Sequence, residues 1–366
     1  LWWPTKVAFG LKSTSLQGIG LMCGTSQDAL DLADVLFTFE EEQVHYKVLG
    51  TQTVSLPQEL RTELAEALSL DALHFITLDQ RVGEFFGQAI SEYLAASHSE
   101  AHFVASHGIT SFHQPEKAIT HQLGSGAVIA AWSHLPVVNG FREQDVALGG
   151  QGAPLVPFCD QLLFGDYDAT LNLGGFANVS LLNESHLIGF DVSPANLLLN
   201  HFSQALGADY DEGGNWARSG SLIPSLLEQW NALPYYHQTP PKSLGKEWLY
   251  AHILNALAGN GYSPHDLLHT AVHHISDQIS SALDFSGKCL ITGGGAFNLY
   301  LIEQLREKCI AHLYIPSKET VAYKEAICFA LLGALRLRET QNIAPSVTGA
   351  RHATCAGYVH LPPLKG

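Results

Sequence analysis

The stretch Gly20-Leu21-Met22-Cys23-Gly24-Thr25-Ser26-Gln27-Asp28-Ala29-Leu30-Asp31 decides how the rest of the chain is read. A strand-like lead over 18–22 opens into Gly24-Thr25-Ser26, and alternation resumes at Leu30, Leu32 and Leu36. That pattern predicts a β-hairpin whose tip combines a small residue, two hydroxyls and the carboxylate of Asp28. Two readings stand side by side. Gly-Thr-Ser is ordinary turn chemistry. Backbone N–H groups and hydroxyls at such a tip also cradle phosphate oxygens, and a nearby carboxylate can hold a hydrated Mg2+.

Working outward, residues 18–24, 29–39 and 44–55 read as three consecutive strands, with Glu40-Glu41-Glu42-Gln43 as the second turn. Helical spacing follows over 57–68 and 73–97, the latter through Phe75, Leu78, Val82, Phe85, Phe86, Ile90 and Leu94. The strand His102-Phe103-Val104-Ala105 ends in Ser106-His107-Gly108, and a helix near 124–133 and a strand at 136–138 come next. The second half repeats the plan. Strands at 170–173, 177–182 and 186–190 surround a Gly174-Gly175 turn, and helices fit 194–206, 247–258 and 264–284. The strand 288–291 then runs into Thr292-Gly293-Gly294-Gly295, followed by a helix from Ala296 and a last one near 322–338.

Each half thus has a Gly-bearing hairpin tip early and a strand ending in a Gly turn later, which reads as an internal duplication. The expected fold is α/β: a duplicated actin/hexokinase-like (ribonuclease H-like) two-domain fold with mixed five-stranded sheets and an interdomain cleft. An unrelated pair of α/β domains is the alternative. The expected domains are 1–140 plus 343–366, and 141–342.

At 366 residues the chain is long for one domain, and its 46% hydrophobic and 15% charged residues suit a globular protein rather than a disordered one. A formal net charge of -16 argues against nucleic-acid binding but leaves ATP open, because turns and helix N-termini bind phosphate without a basic surface. The six cysteines form no CxxC pair, as expected of reduced core thiols. No apolar run has the length of a membrane span, and the opening LWWPTKVAFGLKSTS has no signal-peptide core. A cytoplasmic enzyme with small-molecule substrates follows, a homodimer being the prior for oligomeric state.

Neither a Walker A sequence nor a Rossmann GxGxxG is present. The Gly-rich elements are the turn at 24–26, Gly174-Gly175-Phe176-Ala177-Asn178, and Gly293-Gly294-Gly295-Ala296-Phe297-Asn298. Two facing hairpin tips suit β- and γ-phosphates, and the third turn, opening a helix, suits the α-phosphate or adenosine. Asp191 ends a strand before Val192-Ser193-Pro194, where a carboxylate is either a helix cap or a general base. Arg142 either pairs with Asp145 across a turn or holds a sugar or carboxylate oxygen. Among the 19 histidines no HExxH or other ligand spacing occurs, so no metal centre of that kind is expected. Lys242-Ser243 after Pro240-Pro241 reads as a loop anchor or a solvated turn.

In order, LMCGTSQDALD (21–31), SHGITSFHQP (106–115), FREQDVALGGQGAPLVP (141–157), LNLGGFANVSLL (171–182), GFDVSPAN (189–196), YDEGGNWA (210–217), PPKSLGKE (240–247), ITGGGAFN (291–298), KEAICFA (324–330) and PSVTGA (345–350) resemble the anhydro-N-acetylmuramic acid kinase family. The resemblance covers essentially everything from Gly18 onward. It implies a kinase that uses ATP, Mg2+ and water to open the 1,6-anhydro ring of anhydro-N-acetylmuramic acid and phosphorylate O6, in cell-wall recycling. It also implies that Gly24, Thr25, Ser26, Gln27, Asp28, Ala29, Leu30 and Asp31 bind ATP phosphates, with Asp28 near the metal. Gly174, Gly175, Asn178, Gly293, Gly294 and Asn298 would face the nucleotide; His107, Arg142, Asn196 and Glu325 would line the sugar site; Asp191 would be the base that activates water.

Departures from the family pattern are Cys23, Ala29, Ser125, Val192, Ser193, Ala195 and Ile109. Ile109 and Val192 replace polar groups and bear on sugar contacts. Two alternatives to the kinase reading follow: a sugar sensor of the same fold without turnover, and a kinase for another anhydro or amino sugar.

Overall fold

Alternation in the opening stretch does produce the hairpin. In the computed structural model β1 (Ser15–Cys23) pairs antiparallel with β2 (Ala29–Glu40), Cys23 opposite Leu30, and β2 pairs in turn with β3 (Gln43–Ser55). The structure describes residues 14–24, 27–41, 43–182, 187–240, 242–257 and 259–364. Thr25 and Ser26 of the expected phosphate loop therefore lie outside the described residues, as do Glu42, His186, Pro241 and Ala258.

The chain divides into two compact units, residues 1–163 with 323–366, and residues 164–322. Boundaries had been expected at 140/141 and 342/343. The segment after residue 140 stays with the first unit because Leu155 and, from the helix Val156–Leu163, Cys159 enter the first core, and the helix Lys318–Leu337 contributes residues between Ala326 and Leu337 to the same core.

In the first unit β1 also pairs in parallel with β4 (Phe103–Ser106), and a separate hairpin joins β5 (Ile109–Gln114) to β6 (Ile119–Leu123). β4 pairs in parallel with β7 (Val137–Asn139). The sheet order is β3-β2-β1-β4-β7, with the C-terminal strand Tyr358–His360 added antiparallel beyond β7. Six strands stand where five were expected, because three residues near the end of the chain cap the β7 edge.

The second unit has β8 (Ala169–Leu173), β9 (Phe176–Leu182), β10 (Leu187–Pro194), β11 (Lys288–Thr292) and β12 (His312–Tyr314), in the order β10-β9-β8-β11-β12. Three antiparallel strands followed by two parallel additions recur in both sheets. Even the register repeats: 18–21 lie against 103–106 as 169–172 lie against 289–292. This is the duplicated ribonuclease H-like arrangement of the actin/hexokinase fold. Among the described residues no helix is long and apolar enough to cross a membrane.

Helices cover both faces of the first sheet. Ile19, Leu21, Leu30 and Leu32 pack with the helix Ala72–Ser97, while Phe37, Phe103 and Ala105 pack with the helix Lys318–Leu337. The second helix approaches so closely that a Cβ on Gly20 would collide with the Ala326 carbonyl, and one on Gly333 would lie 2.5 Å from the Ala105 Cβ. Elsewhere the expected helix 247–258 is a short α-turn Lys246–Leu249, a π-turn Tyr250–Leu254 and a 3-10 turn Asn255–Leu257. The helix expected from Ala296 is a 3-10 turn Gly294–Phe297, then a true helix Leu299–Lys308.

Two stability predictions follow from this packing. Gly20→Ala drives a methyl into a backbone carbonyl and should cost about 1–3 kcal/mol, read as a lowered midpoint in urea unfolding. In the second unit His274 is fully buried, its Nδ1 on Asn231 Oδ1 at 2.6 Å and its Nε2 on the Tyr236 hydroxyl at 2.9 Å. Burial pushes its pKa down to about 3 from 6.5, so the folded ring stays neutral where the unfolded one charges. The stability it supports is complete above pH 6.5 and is lost progressively as pH falls toward 3. About 2 kcal/mol should be gone at pH 5 relative to pH 8, and calorimetry of wild type beside His274→Gln should show a weaker pH dependence in the variant.

Candidate active site

The first unit holds His107, Arg142, Glu325 and the described residues of the expected phosphate loop. His107 follows β4, and its Nδ1 lies 2.9 Å from the Gly108 carbonyl, so that nitrogen carries the proton. Its Nε2 then accepts from Arg142 Nε at 3.1 Å and Nη2 at 2.7 Å, since a guanidinium has no acceptor. Burial, reinforced by the Arg142 charge, holds the imidazole well below its ordinary pKa. A neutral ring here serves as a rest for the guanidinium, and it packs tilted against Phe329 with centroids 4.6 Å apart.

Arg142 and Asp145 do not form the ion pair that their spacing suggests. Arg142 Nη1 donates to the Gly152 carbonyl at 2.6 Å, whereas Asp145 Oδ2 accepts from Gly152 N at 2.7 Å and Oδ1 accepts from Thr348 at 2.7 Å. Gly152, with φ of 65°, is therefore the bridge, and a Cβ there would lie 2.7 Å from Val146. The segments 141–157 and 345–350, far apart in sequence, are joined through one buried carboxylate.

Glu325 comes from the helix Lys318–Leu337. Burial raises its carboxyl pKa, Lys324 and Arg142 pull it back, and Asp31 pushes it up. Asp31, on β2, is raised by burial as well, against a 2.6 Å bond from the Thr53 hydroxyl. Thr53 has one proton to give, so Tyr323, 3.0 Å away, donates to it in turn. The carboxylates of Asp31 and Glu325 thus share one electrostatic neighbourhood with Arg142. Asp28 is exposed beside the hairpin tip, where Gln27 N donates to the Gly24 carbonyl at 3.0 Å and Gln27 takes φ of 55°. Ala29 opens β2, whereas Leu30 is fully buried in the core, so only its backbone can reach a ligand. Cys23 is buried too, its thiol pushed up to about 12 by burial and by Asp28 and Asp31, which makes it an unreactive packing group.

The second unit gathers the others. At the β8–β9 tip the Gly174 carbonyl accepts from Asn196 N at 3.1 Å, and the Gly175 carbonyl accepts from Ala195 N at 2.9 Å and Leu197 N at 3.1 Å. Asn196 Nδ2 also donates to the Leu173 carbonyl at 3.0 Å, so its side chain ties that tip to the helix Asn196–Gln204. Gly293, with φ of 81°, crosses so near β8 that a Cβ would lie 2.5 Å from Asn172 Oδ1, and exposed Gly294 adjoins Asn196. Asn298 is committed to the helix: its Oδ1 accepts from Leu301 N at 3.0 Å as the N-cap of Leu299–Lys308.

Asp191 is no helix cap. It stands opposite Asn178 on β10, and a bulge places Val192 between Asp191 and Ser193, re-aiming the strand. Its Oδ2 accepts from Leu244 N at 2.9 Å, while Oδ1 has no hydrogen-bond partner among the described residues. Burial raises its pKa above the ordinary carboxylate value, with Leu244 opposing. A half-anchored, half-available carboxylate of raised pKa is the chemistry of a general base.

Among the described residues no group of three or more His, Cys, Asp or Glu is placed to hold a metal ion. Mg2+ rarely uses an all-protein cage; it keeps waters and binds through one or two carboxylates plus substrate phosphates, a demand that Asp28 and Asp31 fit.

Two groups escaped the sequence reading. Lys324 and Asp160 form an ion pair at 3.1 Å, both almost wholly buried. Burial works against the ammonium, yet Asp160 raises its pKa overall. The signal was there: Lys324 precedes Ile327 and Cys328 by one helical turn on a buried face. Tyr235 and Leu244, which hold Asp191, sit 44 and 53 residues away and left no local signal. The departures Ile109 and Val192 are both buried among apolar side chains.

The profile of the anhydro-N-acetylmuramic acid kinase family matches residues 17–362. A protein of Coxiella burnetii (strain Dugway 5J108-111) bearing that name is 35% identical over 368 residues, covering 93% of this chain and 96% of its own. One of Picosynechococcus with the same name is 33% identical over 383 residues, covering 94% and 99%. Among solved structures, component A of the (R)-2-hydroxyglutaryl-CoA dehydratase of Acidaminococcus fermentans aligns with a TM-score of 0.45 at 10% identity, covering 86% of this chain and 96% of that one.

The buried pair yields a test of its own. Lys324→Met strands the Asp160 charge and should cost about 3–5 kcal/mol in guanidinium unfolding, whereas adding Asp160→Leu should recover most of it.

Proposed function

The chain belongs to the anhydro-N-acetylmuramic acid kinase family, and from that premise we propose that it couples hydrolytic opening of the 1,6-anhydro ring of 1,6-anhydro-N-acetylmuramic acid to phosphorylation of O6 by ATP. The products are N-acetylmuramic acid 6-phosphate and ADP. The observation that carries the mechanism is Asp191: one carboxylate oxygen anchored by a backbone N–H, the other available, and a pKa lifted by burial.

Asp191 takes a proton from water as the water oxygen bonds to the anomeric carbon. The C1–O6 bond breaks, its electrons stay on O6, and O6 takes the γ-phosphoryl group as ADP leaves. Little covalent work falls to the protein in such a transfer, which depends on positioning and charge neutralisation. In this reading Gly24, Thr25, Ser26, Gln27, Asp28, Ala29, Asp31 and the Leu30 backbone serve the phosphates. Gly174, Gly175, Asn178, Gly293 and Gly294 serve the nucleotide, with Asn298 shaping its turn. Mg2+, held by Asp28 with Asp31 behind it, would supply charge neutralisation at the phosphates. Arg142, kept in place by neutral His107 and the Gly152 carbonyl, binds sugar oxygens together with Glu325 and Asn196. A cytoplasmic place suits an enzyme that draws on ATP.

Turnover with anhydro-N-acetylmuramic acid, ATP and Mg2+ in oxygen-18 water should place the label at the anomeric hydroxyl, read by mass spectrometry of the product. Asp191→Asn should lower kcat by about 10²–10⁴-fold. Because the base works deprotonated, kcat/KM should be full above the Asp191 pKa and fall as pH drops through it, with that acid limb above the ordinary 3.8. ADP release no faster than in Asp191→Asn would overturn the proposal.

A further inference from the structure

Three separate atoms of Asp191 are held by one distant segment of the same unit. Its backbone N–H donates to the Lys242 carbonyl at 3.1 Å. Its backbone carbonyl accepts from the Tyr235 hydroxyl at 2.6 Å, and its Oδ2 accepts from Leu244 N at 2.9 Å. The segment is itself tied down. Lys242 Nζ donates to the Tyr235 carbonyl at 3.3 Å and lies over the Tyr235 ring at 4.8 Å and the Phe190 ring at 5.8 Å. Tyr235 is buried against Trp248, with centroids 5.3 Å apart.

β10 is an edge strand, and covering an edge would account for one ladder bond. It does not account for a phenol and an amide that converge on the one residue where the bulge breaks the ladder. We propose that Tyr235 and the strap Lys242–Leu244 are positioning residues for the base, fixing the direction of the Asp191 carboxylate toward the attacking water. This rests on the reading of Asp191 as general base. The side chains of Tyr235 and Lys242 touch no reacting atom in this account; they act through Asp191.

The groups around Asp191 make the expected shifts directional. Tyr235, Tyr236 and Lys242 are the titratable groups of the segment packed on it, and its ladder partner across β9 is the uncharged Asn178. Burial and the Leu244 N–H are the two influences on its carboxyl. Removing the amide while keeping the burial raises the pKa further.

The test uses the full-length enzyme with anhydro-N-acetylmuramic acid, ATP and Mg2+. Tyr235→Phe keeps the ring that seats Lys242 and deletes only the hydroxyl. It should lower kcat about tenfold or more, with KM for both substrates within about twofold, because small misplacement of a reacting group slows the chemical step. Leu244→Pro deletes the N–H and should move the acid limb of kcat/KM upward by about half to one pH unit. Thermal melts accompany both, and if Leu244→Pro does not fold, the kcat-against-KM split of Tyr235→Phe decides. Wild-type kcat in folded Tyr235→Phe, or an unmoved acid limb in folded Leu244→Pro, while Asp191→Asn is inert, would overturn the strap and leave the base standing. Turnover retained in Asp191→Asn would remove the base reading, and the strap with it.

Discussion

Close seating of one helix on one strand governs the first unit. The helix Lys318–Leu337 meets β1 and β4 at a distance that only Gly20 and Gly333 allow. Because it sits so deep, Lys324 enters the core and must meet Asp160, and Glu325 comes within the field of Arg142 and Asp31. Phe329, one turn further on, becomes the floor on which His107 rests. Glu325 and the Phe329 floor under His107 are thus arranged by a backbone contact that involves none of them. A helix raised by one methyl would carry Glu325 and Phe329 with it.

The second unit meets its own constraint differently. An edge strand that must present a carboxylate cannot rely on a ladder on both sides. β10 instead breaks its register at Val192, buries that side chain in the core and takes its missing support from a segment that returns more than forty residues later. Departure from regular pairing and placement of the Asp191 carboxylate are the same event.

How much of this was legible in the sequence depended on range. The two hairpins and the strands that end in Gly turns were readable because period-two alternation and glycine punctuation are local signals. The β5–β6 hairpin was missed, since His113, Gln114 and Glu116 interrupt its apolar pattern, and so was the three-residue C-terminal strand. Helical spacing over 247–258 was real, but the backbone there departs into π and 3-10 turns that side-chain periodicity does not report. At the candidate site, residue types were legible and partners were not. Arg142 and Asp145, three apart, suggested each other, whereas a glycine carbonyl and a threonine from residue 348 are their actual partners. Long-range hydrogen bonds leave no periodic trace.

The repeated register of the two sheets makes their hairpin tips corresponding places in one architecture. Around the β1–β2 tip stand Asp28 and Asp31; around the β8–β9 tip stand Gly174, Gly175 and Asn178, and the carbonyls of both glycines are taken up by the first turn of a helix. One tip therefore offers carboxylate oxygens that suit a cation, whereas the other is built from glycine and asparagine, with Asp191 across from Asn178 on the neighbouring strand. Two copies of one sheet plan thus differ in charge at the same place: an acidic turn in one unit is a glycine-amide turn in the other.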